Sequence, residues 1–212
     1  MELREKYVIK EKIVIKDKDD SRYIPKKNLI ATLRWSKKVD LDLRALYRFK
    51  DGKEGSIYYG NKGSLARHPF IALDKDDGVG DVGGDNEENM RFKDLSNIEH
   101  ILIVVNIFNK INHRFSDYDG MVIVSSHNGQ GFEVPLTAEA KGSWCVVARV
   151  DNTDVVGPKL INVNQIFSDP PSIRDFTGSK DTAPFRPPIE NVVAQAQNQE
   201  KGLFSKFIGM FK

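Results

Sequence analysis

Residues 29–59 read LIATLRWSKKVDLDLRALYRFKDGKEGSIYY, and the spacing of apolar positions in this stretch decides the fold. Leu29, Ala31, Leu33 and Trp35 recur at every second position, and so do Leu41, Leu43, Ala45, Tyr47 and Phe49. A period of two over this length predicts half-buried strands, because successive side chains of a strand point to opposite faces. Asp51-Gly52 follows as a hairpin signal, and SIYYG is expected as the partner strand.

The same grammar continues downstream. HILIVVNIF (100–108) is a continuous apolar run rich in β-branched residues, as expected of a central strand covered on both faces. Asp119-Gly120 leads into MVIVSS (121–126), Asn128-Gly129 into GFEVPL (131–136), and Gly142 into SWCVVARV (143–150). KLINVNQIF (159–167) is the last strand candidate. Short strands separated by such turns predict an all-β protein, an antiparallel β-sandwich, and residues 20–167 carry no helical stripe.

The ends of the chain read differently. Residues 1–27 are expected as a basic N-terminal extension or extra strand. Tyr7-Val8-Ile9 and Ile13-Val14-Ile15 are its apolar groups, and it is too charged for a signal peptide. The sandwich is expected over 28–167. Five of the nine prolines fall between Pro170 and Pro188, so 168–188 is expected as an extended linker. In the tail, 189–212, Leu203, Phe204, Phe207, Ile208 and Phe211 lie on one helical stripe, with Lys201, Lys206 and Lys212 away from it. Such an amphipathic tail suits a membrane interface or a partner protein.

The chain has 212 residues, 40% of them hydrophobic and 29% charged, which suits one domain with appendages. A single cysteine, Cys145, excludes an internal disulfide framework and a multi-cysteine zinc site, and points to the cytoplasm. The formal net charge of +2 hides a segregation: residues 1–38 carry +6, residues 39–73 carry +2, and residues 74–88 carry −6. The near-neutral total argues against nucleic acid as the partner, although the basic N-terminal stretch is the place where such binding would occur.

The acidic segment, LDKDDGVGDVGGDNEE (73–88), holds Asp74, Asp76, Asp77, Asp81, Asp85, Glu87 and Glu88. Carboxylates this dense repel one another unless a cation sits among them. Ca²⁺ is the natural choice, because it takes six to eight hard oxygen ligands in flexible geometry. A solvated acidic loop with no specific ligand is the alternative. The spacing is not that of an EF-hand: Val79 stands where the turn glycine is needed and Asp85 where the bidentate glutamate is usual. Gly78, Gly80 and Gly83 match GxGxxG only formally, since a phosphate would face carboxylates. Asp40 and Asp42 open one predicted strand, and Asp117 and Asp119 lie in the turn after the central strand. Each pair is expected to aim both carboxylates one way.

In order along the chain, ATLRW, VDLDLRALYRFKDGKEGSIYYGNKGSL, PFIALDKDDGVGDVGGDNEENMRF, IEHILIVVNIFN and WCVVARVDN resemble the TerD/TerA tellurium-resistance and stress-response family, over roughly residues 28–165. The closest likeness is to its TerA-like branch. The resemblance implies a calcium-binding β-sandwich with two neighbouring Ca²⁺ sites, no enzymatic activity, and a role in bacterial resistance to tellurite and other stresses through multi-protein assemblies near the membrane. Carried over by residue, it assigns ligand roles to Asp40 and Asp42, and to Asp74, Asp76, Asp77, Asp81, Asp85, Glu87 and Glu88. Asp117 and Asp119 are supporting candidates. The loop is spelled LDKDDG and GGDNEEN where the family more commonly has GDN…GEGDGDDE.

No enzyme constellation competes. His68, His100, His113 and His127 show no zinc-ligand spacing, and Cys145 sits inside an apolar strand. Carboxylates crowded into one loop look like ion ligands rather than a tuned acid and base. The expectation is therefore a non-enzymatic, Ca²⁺-binding, cytoplasmic module with protein partners in a stress-resistance assembly. Peripheral contact with the inner face of the membrane would come through the tail. The alternative is a Ca²⁺-dependent membrane- or carbohydrate-binding sandwich, C2-like or lectin-like.

Overall fold

A computed structural model describes residues 7–74, 86–108 and 113–177. In chain order the strands begin with β1 (Glu11–Val14), β2 (Ser21–Tyr23), β3 (Lys27–Trp35), β4 (Leu41–Phe49) and β5 (Glu54–Ile57). Next come β6 (Ile71–Leu73), β7 (Asn86–Asp94), β8 (Ile98–Ile107) and β9 (His113–Arg114). The last are β10 (Met121–Ser126), β11 (Gln130–Pro135), β12 (Lys141–Gly142), β13 (Trp144–Asp151) and β14 (Lys159–Phe167). A 3-10 turn (Phe115–Tyr118) and a four-residue helix, α1 (Arg174–Thr177), complete the described elements.

Two six-stranded sheets, ordered β1-β11-β10-β3-β7-β6 and β2-β14-β13-β8-β4-β5, form the sandwich, with β9 and β12 paired beside them. Every pairing is antiparallel except β1 with β11. The period-two residues face inward as expected. Leu29, Ala31, Leu33 and Trp35 of β3 meet Leu41, Leu43 and Ala45 of β4 in one core, against which Tyr47 and Phe49 pack. Gly52 and Gly129, in the Asp-Gly and Asn-Gly turns, hold φ of 85° and 86°, a left-handed conformation that glycine adopts without a Cβ clash. The partner of β4 is Glu54–Ile57, and Tyr58 and Tyr59 lie beyond that strand.

The central strand β8 runs between β13 and β4 and is covered on both faces, as its unbroken apolar run predicts. Ile101, Ile103, Val105 and Ile107 enter the main core, while Leu102 and Val104 face outward into a second cluster with Val146, Val163 and Ile173. Ile173 shows that the first part of the proline-rich segment is not an extended linker. Residues 172–177 fold back over the sheet, Ile173 is buried, and Phe176 packs against the same cluster. Ser172 starts this turn with a reciprocal cap: its Oγ accepts the Arg174 N–H at 3.2 Å, and its own N–H donates to Asp175 Oδ2 at 3.0 Å.

The N-terminal stretch is an integral part of the sandwich. β1 joins one sheet and β2 the other, with Ile15 and Ile24 buried in the core. Asn162 Nδ2 donates to the carbonyls of Ile15 (2.9 Å) and Lys16 (3.0 Å), tying the crossing segment to β14. The lysines that obscure this region in the sequence sit on its solvent side, where a long side chain keeps its charge in water.

Candidate metal centre

The corner between β3 and β4, the start of β7, the end of β6 and the turn before β10 all lie at one end of the sandwich, because Trp35 pairs with Asn86, Leu73 with Met90 and Arg34 with Met121. That end therefore collects Asp40, Asp42, Asp74, Glu87, Glu88, Asp117 and Asp119. Asp74 and Asn86, on either side of residues 75–85, both stand at this rim. Asp76, Asp77, Asp81 and Asp85 lie outside the described residues, as do Leu203, Phe204, Phe207, Ile208 and Phe211 of the tail.

Glu87 and Glu88 are strand residues, the first on the outer face of β7 and the second on its inner face with Met90 and Phe92. Glu88 is 2% exposed, and its Oε2 accepts the Leu43 N–H at 2.7 Å, joining the two sheets. β5 pairs β4 only from Ala45 onward, so the carboxylate takes up a strand-edge donor that no neighbouring strand reaches. One residue away on β4, Asp42 is 4% exposed, and its Oδ2 accepts from Asn106 Nδ2 at 2.9 Å. Asn106 Oδ1 in turn accepts from Arg44 Nε at 2.5 Å, and an Arg44 terminal nitrogen lies 3.8 Å from Asp42 Oδ2. The Arg44 guanidinium is enclosed by Tyr58, Tyr59 and Trp144, whose ring centres lie 5.1, 5.2 and 4.7 Å from its central carbon. Strand register explains the assembly, since Asp42, Asn106 and Trp144 stand directly across three neighbouring strands.

Asp74, Glu87 and Asp119 have cationic partners. Arg91 Nε donates to both oxygens of Asp74, at 2.9 and 2.8 Å. Arg34 Nε meets Glu87 Oε2 at 3.1 Å, and Asn89 Nδ2 donates to Glu87 Oε1 at 2.7 Å. Asp119 accepts from Lys37 (3.2 Å) and Ser36 (3.0 Å), contacts that hold its carboxyl below the usual range. Asp117 and Asp119 do not share a face by strand alternation, because Asp117 lies in the 3-10 turn and Asp119 follows it with φ of 49°. The Asp40 carbonyl accepts the Phe108 N–H at 2.9 Å, which fixes the start of β4 beside the end of β8. Among the described residues no three His, Cys, Asp or Glu side chains form a group that could hold a metal ion alone.

Asp42 and Glu88 are the buried carboxylates of this rim, Glu88 on the core side of Leu43 and Asp42 on the outer side with Arg44 and Asn106, and their oxygens are donors of the hard type that Ca²⁺ takes. Cys145 is fully buried, and that burial pushes its thiol far above its ordinary pKa. Among the described residues no helix is long and apolar enough to cross a membrane.

The fold and rim thus define an antiparallel β-sandwich with acidic groups collected at one end. Among solved structures the chain is similar to a homologue of the telluride resistance protein TerD from Streptomyces coelicolor A3(2), at 17% identity and a TM-score of 0.49. That likeness covers 69% of this chain and 94% of the other. A second similar structure, of a protein of unknown function, shows 15% identity and a TM-score of 0.44, with 68% and 94% covered. No family model and no curated protein matches the sequence.

Proposed function

We propose that this chain is a Ca²⁺-binding, non-enzymatic docking module of the TerD/TerA type, acting in a bacterial tellurite- and stress-resistance assembly in the cytoplasm. The observation that carries the reading is the pair of buried carboxylates, Asp42 and Glu88, on either side of Leu43 at the rim that anchors the acidic segment. Ligands would come from Asp40, Asp42 and Glu88, together with Asp76, Asp77, Asp81 and Asp85. Asp74 and Glu87 serve as anchors, since Arg91 and Arg34 already neutralise them.

Bound Ca²⁺ supplies positive charge among carboxylates that otherwise repel. Two ions would bring the segment from −6 to about −2. The chain's own part is to hold oxygen donors in place before the ion arrives. Asn106 and the clasped Arg44 orient Asp42, and the Leu43 N–H orients Glu88. The resulting rigid rim would be the surface presented to partner proteins. Calorimetric titration with CaCl₂ tests the proposal, which requires saturable binding that Asp42→Asn weakens and Arg22→Gln, at the solvent-exposed β2, leaves unchanged.

A further inference from the structure

On the outer face of the second sheet, toward one end of the central strand β8, His100 is 7% exposed, and its Nδ1 is buried with no hydrogen-bond partner among the described residues. Asp151 Oδ1 lies 3.7 Å away, beyond hydrogen-bond reach. Strand register places Asp151 of β13 directly across from His100 on one side and Arg48 of β4 on the other. The imidazole therefore sits in a row of charged neighbours without a bond to any of them through this nitrogen.

The cations in that row also hold the folded-back segment 172–177. Arg149 donates to the Phe176 carbonyl at 2.6 Å while lying 3.6 Å from Asp151 Oδ2. Glu54, on β5, is shared between Arg48 (3.5 Å) and Arg174 (3.1 Å) of the segment, and Arg48 Nε also lies 3.1 Å from Glu99 Oε2. Ile173 and Phe176 add apolar contact with the sheet. The segment is thus pinned at both ends of its helical turn by groups that border one buried histidine.

We infer that His100 is the trigger of an acid-sensitive latch: protonation of its ring releases residues 172–177 from the outer face of the sheet. A proton on the ring would place a third cation beside Arg48 and Arg149. It would also draw Asp151 toward the ring and away from Arg149, and so loosen the Arg149 bond to Phe176. The other charged groups facing the ring are Glu99 on its own strand and, one shell further out, Glu54, Arg174 and Lys159. The last stands across from Asp151 with its ammonium held by Asp154 at 2.7 Å.

The sign follows from burial. Removal from water lowers the His100 pKa below its usual 6.5, Asp151 and Glu99 oppose that shift, and Arg149 and Arg48 reinforce it. The closed latch therefore favours the neutral ring. Its advantage is complete above the ordinary histidine pKa and is lost as pH falls through it. This inference is independent of Ca²⁺.

The test is amide exchange of residues 172–177, expressed as protection factors, in the full chain between about pH 7.5 and pH 5.5. The same samples give the His100 ring titration by NMR. Protection should fall about tenfold per pH unit between the ring's titration points in the open and closed forms and level off below the closed-form point. His100→Gln should abolish that fall, and Arg174→Ala should lower protection at every pH. A ring that titrates while protection of 172–177 stays constant overturns the inference, as does an acid-induced loss that persists in His100→Gln. If His100→Gln does not fold, the wild-type spectra decide: a loss of protection that begins above the ring's titration midpoint and levels off at it supports the latch, and a loss that continues unchanged below that midpoint contradicts it.

Discussion

The backbone N–H of Leu43 donates to Oε2 of Glu88 at 2.7 Å, and this bond links the two sheets at the rim that collects the acidic residues. Glu88 shares the inner face of β7 with Met90 and Phe92, so among the described candidate ligands it is the one that enters the sandwich from its core side. Replacing it with leucine would leave a buried donor unpaired. Glu88→Leu should cost about 1–3 kcal/mol in urea unfolding, and Glu88→Gln, which retains an acceptor, should cost less.

Truncation of the N-terminal stretch should destabilise the sandwich. Ile15 is fully buried and the segment is bonded to Asn162, so Ile15→Ala should lower stability by about 2–5 kcal/mol in the same assay. A dispensable extension would tolerate deletion of its first 20 residues without a change in the unfolding midpoint.

Arg44 connects Asp42 to Trp144. Arg44→Met should shift Trp144 emission and weaken Ca²⁺ binding, because the amide of Asn106 loses the donor that orients it toward Asp42. Trp35 should report no change, since its indole N–H donates to the Val39 carbonyl on the core side. Emission spectra of single-tryptophan variants separate the two signals.

Cys145 should be inert to thiol reagents in the folded protein. It is fully buried in β13, and the same burial keeps the thiol protonated. Reaction with a chromogenic disulfide should proceed only as fast as the chain unfolds, and rapid labelling under native conditions would contradict the placement of the strand.

Much of this fold is legible in the sequence because alternation reports directly on a two-faced strand, as in β3 and β4. The two strands at the N-terminus are legible only as an extra strand, since Glu11–Val14 and Ser21–Tyr23 are short and mostly exposed, and lysines flank Ile15 and Ile24, the buried residues just beyond them. The packing of residues 172–177 is hidden for another reason. Prolines mark an irregular backbone, and only the tertiary cluster on Leu102 and Val104 reveals that Ile173 has a place to bury. At the rim, composition points to the acids but not to their roles. Arg34 and Arg91 reach Glu87 and Asp74 through cross-strand register, which the spacing of acids alone does not carry. The signal for Glu88 was present, since period two from Met90 and Phe92 places it on the core face.

The central claim is that the rim binds Ca²⁺, and the thermal melt of the full chain in CaCl₂ against EGTA tests it most directly. Ligand binding to the folded state at about 100 times Kd adds about 2.7 kcal/mol. For a domain of this size that corresponds to a rise in Tm of about 5–10 °C. Glu88→Gln and Asp42→Asn should each reduce the rise. Identical melts in CaCl₂ and EGTA, with no heat of Ca²⁺ binding by calorimetry, would contradict the account.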